Sequence, residues 1–509
     1  MTQPLHELDR AERRHAHLDG RPRLTVAEHL QQVAHRHRGR GSVDLADGRV
    51  ADGIAPRHVG NPGLGHEHNG SHPHVTFGAP PPVRVVSVRI LVLGSGAREH
   101  AIVTALLREG AGHQIIAAPG NAGLAADVEV VQLDPTNGAV VAEYTLENDI
   151  ELVVIGPEAP LVAGVADALR TRGIPVFGPG KRAAALEGSK TFAKRIMDEA
   201  RVPTGRAVRV GSLDDAVRAI DDFGAPYVVK ADGLAAGKGV LVTDDRAAAL
   251  EHARYWLQHG SVLVEEFLDG PEVSLFLLSD GHTVVPLSPA QDYKLLLDGD
   301  GGPNTGGMGA YSPLPWLADR FGSEDEFVAE VIETIAQPTI RQLASEGTPF
   351  IGLLYAGLIL TEQGVRVIEF NARFGDPETQ VVLPRLVTPL SSLLLAAATG
   401  SLSTHAAPVF SSDVAVTVVL ASEGYPEAPL TGRPLFGLDE ALHVEGVTIA
   451  HAATARGQNG LVATGGRVLS VVATGHDFSE ARARAYEALG HIELEGGQYR
   501  HDIAERVSR

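Results

Sequence analysis

The chain has 509 residues, of which 44% are hydrophobic and 21% charged, as is typical of a soluble protein with more than one hydrophobic core. Its net charge of −20 argues against a general nucleic-acid binder, and the absence of cysteine excludes disulfides and thiolate chemistry. No apolar run reaches the ~18 residues needed to span a membrane, so we expect a cytoplasmic protein that binds neither nucleic acid nor membrane.

Residues 1–87 differ in composition from the rest of the chain. They hold 11 of the 22 histidines and no lysine, and carry a net charge of +2 against −22 for the remainder. The stretch "HEHNGSHPH" could chelate a metal, but no cysteine or ordered set of carboxylates accompanies it. We predict that 1–87 is a disordered arm or a spurious upstream extension, with Val88 as the true start.

The segment 88–188 alternates short apolar strands with helical stretches. Val88–Leu93 is the first predicted strand, a glycine turn follows it, and His100–Arg108 has helical spacing. This alternation predicts a parallel sheet, whose ligands bind beyond the carboxyl ends of the strands.

The predicted secondary structure of the remaining residues changes in character twice along the chain. Ser189–Ala200 is a predicted helix, strands dominate Tyr227–Leu278, and Glu326–Glu346 is again helical. After about Thr404 the sequence is mostly strand-forming and ends in a helix. We therefore predict domains at 88–188, 189–404 and 405–509.

The glycine turn "GSGAREH" contains Gly94, Gly96 and Arg98. A strand, a glycine turn and a helix start direct backbone N–H groups toward an anion. A dinucleotide fingerprint would need a third glycine where Glu99 stands, so a monophosphate site fits better. A tight turn without any ligand is the alternative.

The stretch "VVKADGLAAGKGVLV" places Lys230 and Lys238 on either side of a glycine- and alanine-rich loop. Only six of the 43 cationic residues are lysine, so two beside one loop are unexpected by chance. The loop lacks the spacing of a P-loop and continues as a strand. It therefore predicts a lid over phosphates, where lysine supplies a compact charge, rather than a solvated glycine loop.

The adjacent acids Glu265 and Glu266 lie in the predicted strand "VLVEEF". Successive strand residues point to opposite faces, so only one of the two can line a cleft with the lysines. An exposed acidic pair on an edge strand is the alternative.

"RVIEFNARFGDPETQ" combines several polar groups on one predicted strand. Glu369, Asn371 and Arg373 alternate, so their side chains share a face. Oxygen ligands two residues apart suit Mg²⁺, and Arg373 can meet a developing negative charge. A structural salt bridge is the alternative. The polar loop that begins with Asp292 and Lys294 is either a mobile linker or a substrate loop.

Taken in order, these motifs resemble the phosphoribosylamine–glycine ligases of the ATP-grasp superfamily. The resemblance covers Val88 to about Ile503 and includes "GSGAREH", "APGNAG", "LEGSK", "KADGLAAGKGV", "VEEFLDGPEVS", "GPNTGGMGAYSP" and "EFNARFGDPETQ". It implies an α/β fold with an N-terminal parallel-sheet substrate domain, a two-part ATP-grasp core with its nucleotide clamp at about 205–270, and a C-terminal α+β domain.

The resemblance also implies the reaction and the residues that perform it. ATP would phosphorylate glycine, and 5-phosphoribosylamine would attack the acyl phosphate, giving glycinamide ribonucleotide, ADP and phosphate in purine synthesis, in a monomeric enzyme with Mg²⁺ or Mn²⁺. The implied catalytic residues are Arg373, Lys238, Asp292 and Lys294, and Glu369 and Asn371 would hold the metal. ATP would contact Lys190, Lys230, Gly237, Lys238, Gly239, Glu265 and Glu266. The substrates would contact Gly94, Gly96, Arg98, Asn121, Asn304, Gly306, Gly307 and Asp376.

One departure and two alternatives remain at this point. Many family members carry a basic residue after the lysine at 294, where this chain has Leu295, which puts local phosphate contacts in doubt. Another ATP-grasp enzyme, such as a carboxylase or dipeptide ligase, is one alternative. A catalytically silent nucleotide-binding regulator is the other, although the metal pair and phosphate lysines argue against it.

Overall fold

The computed structural model describes residues 86–234 and 238–509. The predicted N-terminal arm lies outside these residues apart from its last two positions, and so does Gly237 of the predicted nucleotide site. No helix of the described part is both long and apolar enough to cross a membrane.

A parallel sheet opens the described chain, as the alternating pattern predicted. The predicted strand at Val88–Leu93 forms as Arg89–Gly94, and its apolar side chains are fully buried. The strand order is β3–β2–β1–β4–β5, so the carboxyl ends of the strands meet at one edge. The strands are β1 (Arg89–Gly94), β2 (Gln114–Pro119), β3 (Glu129–Val130), β4 (Leu152–Ile155) and β5 (Val176–Phe177). The helices are α1 (Ala97–Arg108), α2 (Leu124–Asp127), α3 (Gly138–Glu147), α4 (Glu158–Ala163) and α5 (Val165–Thr171).

Two helices lead from this sheet into a small antiparallel sheet with a core of its own. The order of that sheet is β6–β9–β7–β8, and β7 and β8 form the hairpin that flanks the lysine loop, as predicted. The strands are β6 (Ala207–Val210), β7 (Tyr227–Ala231), β8 (Val240–Thr243) and β9 (Val262–Glu265). The helices are α6 (Lys181–Gly188), α7 (Lys190–Glu199), α8 (Leu213–Phe223) and α9 (Arg246–Trp256).

A second antiparallel sheet carries the predicted metal strand. Its order is β11–β10–β16–β17, with β10 (Glu272–Asp280), β11 (Val284–Pro286), β16 (Ile351–Thr361) and β17 (Gly364–Asn371). The helix predicted at 326–346 is interrupted by a wider π-helical turn at Ile332–Ala336, just before Pro338, whose ring cannot donate an N–H. The helices here are α10 (Ala318–Phe321), α11 (Glu324–Val331) and α12 (Gln337–Ser345).

A third sheet joins central and C-terminal segments of the chain. Its order is β12–β15–β18–β23–β20, so pairing crosses the boundary predicted near residue 404. The strands are β12 (Gln291–Asp292), β13 (Leu295–Leu297), β14 (Gly301–Asn304), β15 (Gly309–Ser312), β18 (Val414–Ala421), β20 (Val447–His451) and β23 (Arg467–Gly475), with β13 and β14 pairing separately as a hairpin.

The remaining elements lie in the C-terminal half of the chain. A small sheet of order β21–β22–β19–β24 comprises β19 (Pro434–Phe436), β21 (Thr454–Gly457), β22 (Gly460–Ala463) and β24 (Glu493–Leu494). The helices are α13 (Thr379–Val382), α14 (Leu390–Thr399), α15 (Leu438–Ala441) and α16 (Phe478–His491), with short 3₁₀ turns at Pro315–Leu317, Leu383–Arg385 and Leu402–Thr404. One parallel sheet followed by antiparallel sheets confirms the predicted α/β class.

Candidate active site

The lysine hairpin and the acidic strand meet through direct strand pairing. Because β7 pairs with β9, Lys230 Nζ lies 2.9 Å from Glu265 Oε2, and both side chains are buried. Glu266 turns to the opposite face and accepts hydrogen bonds from the backbone N and Nε of Arg206 at 3.0 and 3.1 Å. Of the two candidate acids, Glu265 therefore joins the lysines and Glu266 does not.

Lys194 is a member of this cluster that the sequence reading missed. Its Nζ lies 3.3 Å from Glu265 Oε2 and also donates to Thr204 Oγ1 at 3.0 Å and to the carbonyl of Gly205 at 2.9 Å. Burial lowers the pKa of Lys194, while the Glu265 carboxylate opposes that shift. The available signal was spacing, because Lys190 and Lys194 are four residues apart and share one face of α7.

Asp232 ties the start of α7 to the base of the lysine loop. It accepts hydrogen bonds from the hydroxyls of Ser189 (3.0 Å), Thr191 (2.6 Å) and Ser261 (3.2 Å). Lys190 Nζ donates to the carbonyl of Gly233 at 3.3 Å, directly beside this junction. The first lysine of the predicted nucleotide site is thus held next to the loop.

The far side of the loop is anchored through Gly239. Its carbonyl accepts the backbone N–H of Ala231 at 2.7 Å and lies 3.2 Å from His252 Nε2 on α9. Lys238 is exposed. The loop is therefore fixed at both of its strand ends, with a cation presented at one of them.

The predicted metal strand places two oxygen ligands on the cleft side. A β-bulge between Val367 and Glu369 shifts the alternation, so Val367 and Phe370 are both buried, whereas Glu369 and Asn371 are partly exposed. The side chains of Glu369 and Asn371 have no hydrogen-bond partner among residues 86–234 and 238–509. Carboxylate and amide oxygens left free in this way fit Mg²⁺, which takes its other ligands from water and phosphate.

Lysine charges converge on Glu369. Burial favours its neutral form, but the charges of Lys294, Lys230 and Lys190 outweigh burial and lower its pKa. The carboxylate is therefore ionised at neutral pH. The two predicted clusters, nucleotide lysines and metal ligands, belong to one cleft.

Arg373 leaves the strand toward the N-terminal domain. Its Nη2 lies 2.9 Å from Glu187 Oε1 and its Nε lies 3.3 Å from Glu158 Oε2. Burial opposes the charged form of Arg373, but these carboxylates raise its pKa overall. The salt bridge weighed from sequence is thus present, and it fixes the guanidinium beside the metal strand.

Asp292 and Lys294 lie on and just after β12, next to further buried charges. Lys294 Nζ forms a salt bridge with Glu272, and Oδ1 of Asp292 is buried with no hydrogen-bond partner in the described chain. Burial and the neighbouring Glu378 raise the pKa of Asp292 well above its ordinary value. At Gly307, where φ is +103°, an added Cβ would lie 2.7 Å from this Oδ1, so the loop passes directly over the carboxylate.

The glycine-rich loop divides into two parts. Asn304 ends β14, pairs with Leu295 and is exposed. Gly306 and Gly307 instead contact Arg467, which also forms a salt bridge with Asp376 at 3.0 Å. Arg467 was missed because nothing in the local sequence of β23 marks it.

In the first glycine turn, a side chain from the helix that follows occupies a backbone N–H group. Glu99 accepts the N–H of Gly96 at 2.6 Å and lies 2.6 Å from Nε of Arg98, whose Nη1 donates to the carbonyl of Phe374 at 3.1 Å. A Cβ at Gly94, where φ is +134°, would clash with Glu99 at 2.5 Å. Glu99 therefore occupies one amide that the predicted anion site would have used.

Asn121 joins the N-terminal turn to the C-terminal domain. Its Nδ2 donates to the carbonyls of Ser95 (2.9 Å) and His451 (2.7 Å), and its Oδ1 accepts the N–H of Leu124 at 2.9 Å. Alongside it, the N–H of His451 donates to Nδ1 of His100 at 2.9 Å. In this structure the Asn121 side chain serves as a joint between domains.

Three family models match consecutive parts of the chain. They describe the N domain (residues 88–187), the ATP-grasp domain (188–379) and the C domain (415–506) of phosphoribosylglycinamide synthetase.

Relatives and solved structures agree with these models. A phosphoribosylamine–glycine ligase of Leifsonia xyli is 73% identical over 82% of this chain and all of its own length, and that of Streptomyces coelicolor is 55% identical over 83% and 100%. The crystal structure of the Thermotoga maritima ligase matches with a TM-score of 0.69 and 35% identity over 82% of this chain and all of that chain. A biotin carboxylase domain of Hydrogenobacter thermophilus, at 16% identity, shares the fold, with a TM-score of 0.61 over 82% of this chain and 92% of its own.

Proposed function

The chain belongs to the phosphoribosylamine–glycine ligase family of ATP-grasp enzymes, and we propose that it joins glycine to 5-phosphoribosylamine through a glycyl phosphate intermediate. The products are glycinamide ribonucleotide, ADP and phosphate, as a step of de novo purine synthesis.

The convergence of lysines and metal ligands in one cleft carries this proposal. Lys190, Lys230 and Lys294 all act on Glu369, which stands two residues from Asn371 on the same strand. An unpaired carboxylate and amide among phosphate-binding cations fit the metal ion that accompanies ATP. The arrangement suits phosphoryl transfer, which depends on positioning and charge neutralisation.

The nucleotide lies between the lysine hairpin and the metal strand in this proposal. Lys190, Lys230, Lys238 and Gly239 face the phosphates, and Glu265 orients Lys230 from behind. Glu369 and Asn371 would hold Mg²⁺, or Mn²⁺ in its place, which would neutralise phosphate charge when bound.

The chemistry proceeds in two displacements. A carboxylate oxygen of glycine attacks the γ-phosphorus of ATP, and ADP leaves with the bonding pair of the broken P–O bond. The amine nitrogen of phosphoribosylamine then attacks the acyl carbon, an amide bond forms, and inorganic phosphate leaves. Arg373, fixed by Glu187 and Glu158, is the cation assigned to the acyl phosphate.

The substrates occupy the other end of the cleft. Asp292, Lys294, Gly306, Gly307 and Asp376 border glycine and the reacting amine. The turn of Gly94, Gly96 and Arg98 borders phosphoribosylamine, with Asn121 supporting it from the domain joint. Glu266 turns away from the lysines toward Arg206, and Asn304 is exposed at the end of β14.

The decisive experiment is an ADP-release assay with purified chain, ATP and Mg²⁺. We expect ADP release to require both glycine and phosphoribosylamine. Equal release without phosphoribosylamine, or with an unrelated amine in its place, would refute the proposed reaction. The proposal also includes a monomeric state and a cytoplasmic location, and light scattering of the purified chain tests the first of these.

A further inference from the structure

Arg467 connects two loops that are remote from each other in sequence. Its Nη1 donates to the carbonyl oxygens of Asp376 (2.7 Å) and Gly307 (3.4 Å) and also to that of Gly306. Its Nη2 lies 3.0 Å from Oδ2 of Asp376. One guanidinium thus holds the glycine-rich loop against the loop that follows the metal strand.

The packing around this contact is close. A Cβ added at Gly306 would lie 3.0 Å from Cζ of Arg467. The N–H of Gly306 also donates to the hydroxyl of Tyr425 at 3.0 Å, and a Cβ at Gly466 would lie 2.2 Å from the Tyr425 ring. The side chains of Arg467 and Tyr425, both from the C-terminal part of the chain, therefore contact the same loop residue, Gly306.

Both loops held by Arg467 border the acceptor end of the cleft. Asp376 Oδ2 lies 4.0 Å from the position that a Cβ at Gly96 would take, and its Oδ1 accepts from Nε2 of Gln380 at 2.7 Å. Gly307 passes over Oδ1 of Asp292. Within residues 86–234 and 238–509, Arg467 makes no contact with any lysine of the nucleotide end.

We propose that Arg467 is a positioning residue for phosphoribosylamine, through which the C-terminal domain shapes the acceptor end of the reaction centre. This inference rests on the proposed function. Arginine suits the role because its planar fork serves several acceptors at fixed angles, whereas lysine would supply one point charge. The loop it holds is rich in glycine and would otherwise have wide backbone freedom.

The test compares Arg467→Ala and Arg467→Lys with the unaltered chain in steady-state assays. We expect kcat/KM for phosphoribosylamine to fall about 100-fold in R467A, the usual loss when reacting groups are displaced by about 1 Å, and less in R467K. KM for ATP should change less than about twofold, because the lysine cluster is untouched. Added guanidinium ion at non-denaturing concentration should restore part of the R467A activity.

Arg484→Ala is the matched control. Arg484 is also a C-terminal arginine with a salt bridge, to Glu480 at 2.9 Å, and a backbone contact, to Thr474 at 2.7 Å, but it lies outside the cleft. We expect R484A to retain full activity at a similar unfolding midpoint to R467A. If R467A does not fold, R467K with its single charge carries the same comparison.

The outcomes separate this inference from the proposed function. Equal losses for ATP, glycine and phosphoribosylamine, or no rescue by guanidinium, would show a general structural role and overturn the inference. Unchanged kinetics in R467A would do the same. An unaltered chain that shows no ADP release dependent on glycine and phosphoribosylamine would refute the function itself.

Discussion

At the nucleotide end of the cleft, Lys194 and Lys230 share one buried carboxylate, Glu265, while the partner of Lys190 among the described residues is a backbone carbonyl. At the acceptor end, the guanidinium of Arg467 contacts both the Asp376 carboxylate and the backbone of the glycine-rich loop. The first region keeps an excess of positive charge, which suits a ligand that brings its own phosphates. The second pairs its charges internally, which suits a region whose task is to hold loops in place.

The largest expected effect follows from removing the carboxylate that Lys194 and Lys230 share at the nucleotide end. Glu265→Gln removes the carboxylate that directly contacts the buried Lys194 and Lys230, and breaking such a buried pair costs about 3–5 kcal/mol. The adjacent Glu266→Gln removes only a partly exposed contact with Arg206 and should cost less than about 1 kcal/mol. Denaturant unfolding of both variants measures the difference. Equal destabilisation would contradict the assignment of Glu265 alone to the cleft.

A second variant tests whether the excess positive charge at the nucleotide end contributes to turnover. Lys238→Ala should lower turnover on the order of 10²–10³-fold, the usual loss on removing one preorganised charge donor. Lys181→Ala, which removes a lysine outside the proposed cleft, should leave kcat unchanged. If the two variants retain equal activity, Lys238 is incidental.

A third experiment addresses the joint that supports the acceptor end, where His451 lies between His100 and Thr454. Burial, followed by the nearby His100, lowers the pKa of His451 from 6.5 to about 4, while Asp127 opposes the shift. The folded state therefore favours the neutral ring. The resulting contribution to the free energy of unfolding is complete above pH ~6.5 and is lost as the pH falls toward 4. The loss amounts to about 3 kcal/mol.

His451→Gln removes the titrating ring and retains the backbone contacts of this residue. We expect the variant to lose less stability than the unaltered chain between pH 7.5 and pH 4.5, as measured by denaturant unfolding at the two values. Equal acid sensitivity in both proteins would show that another group controls this range.

The smallest effect is expected from the N-terminal segment 1–87. Deletion of residues 1–87 should leave kcat and all KM values unchanged, since this segment is rich in histidine and arginine and contains none of the proposed site residues. Steady-state assays of the shortened and full chains test this. A shortened chain that folds but is inactive would contradict the interpretation of this segment.

Much of the candidate site was predictable because its residues lie in short local patterns. Lys230 and Lys238 lie at the two ends of one hairpin loop, and Glu369 and Asn371 alternate on one strand, so each pair could be predicted from local pattern alone. The same argument required that only one of Glu265 and Glu266 face the lysines, but it could not say which. That choice follows from the register of β7 against β9.

Other residues could not be found in this way because their partners are distant in sequence. Lys194 offered at least its helical spacing from Lys190. No local sequence pattern marked Arg467, because its contacts with Gly306 and Asp376 depend on a sheet that pairs central with C-terminal strands. Asn121 was assigned to a substrate, yet its amide is engaged by Ser95, His451 and Leu124.

The sequence by itself determined the α/β class and the family, and it predicted the lysine lid and the metal-ligand pair, because each depends on residue type and near-neighbour periodicity. Tertiary structure alone decided which acid faces the lysines, how a bulge lets Val367 and Phe370 share the core, and that Arg467 joins the acceptor end. The physical reason is the range of the interactions. Strand alternation and helical spacing act over a few residues, whereas strand register and a forked guanidinium bring together groups that are far apart along the chain.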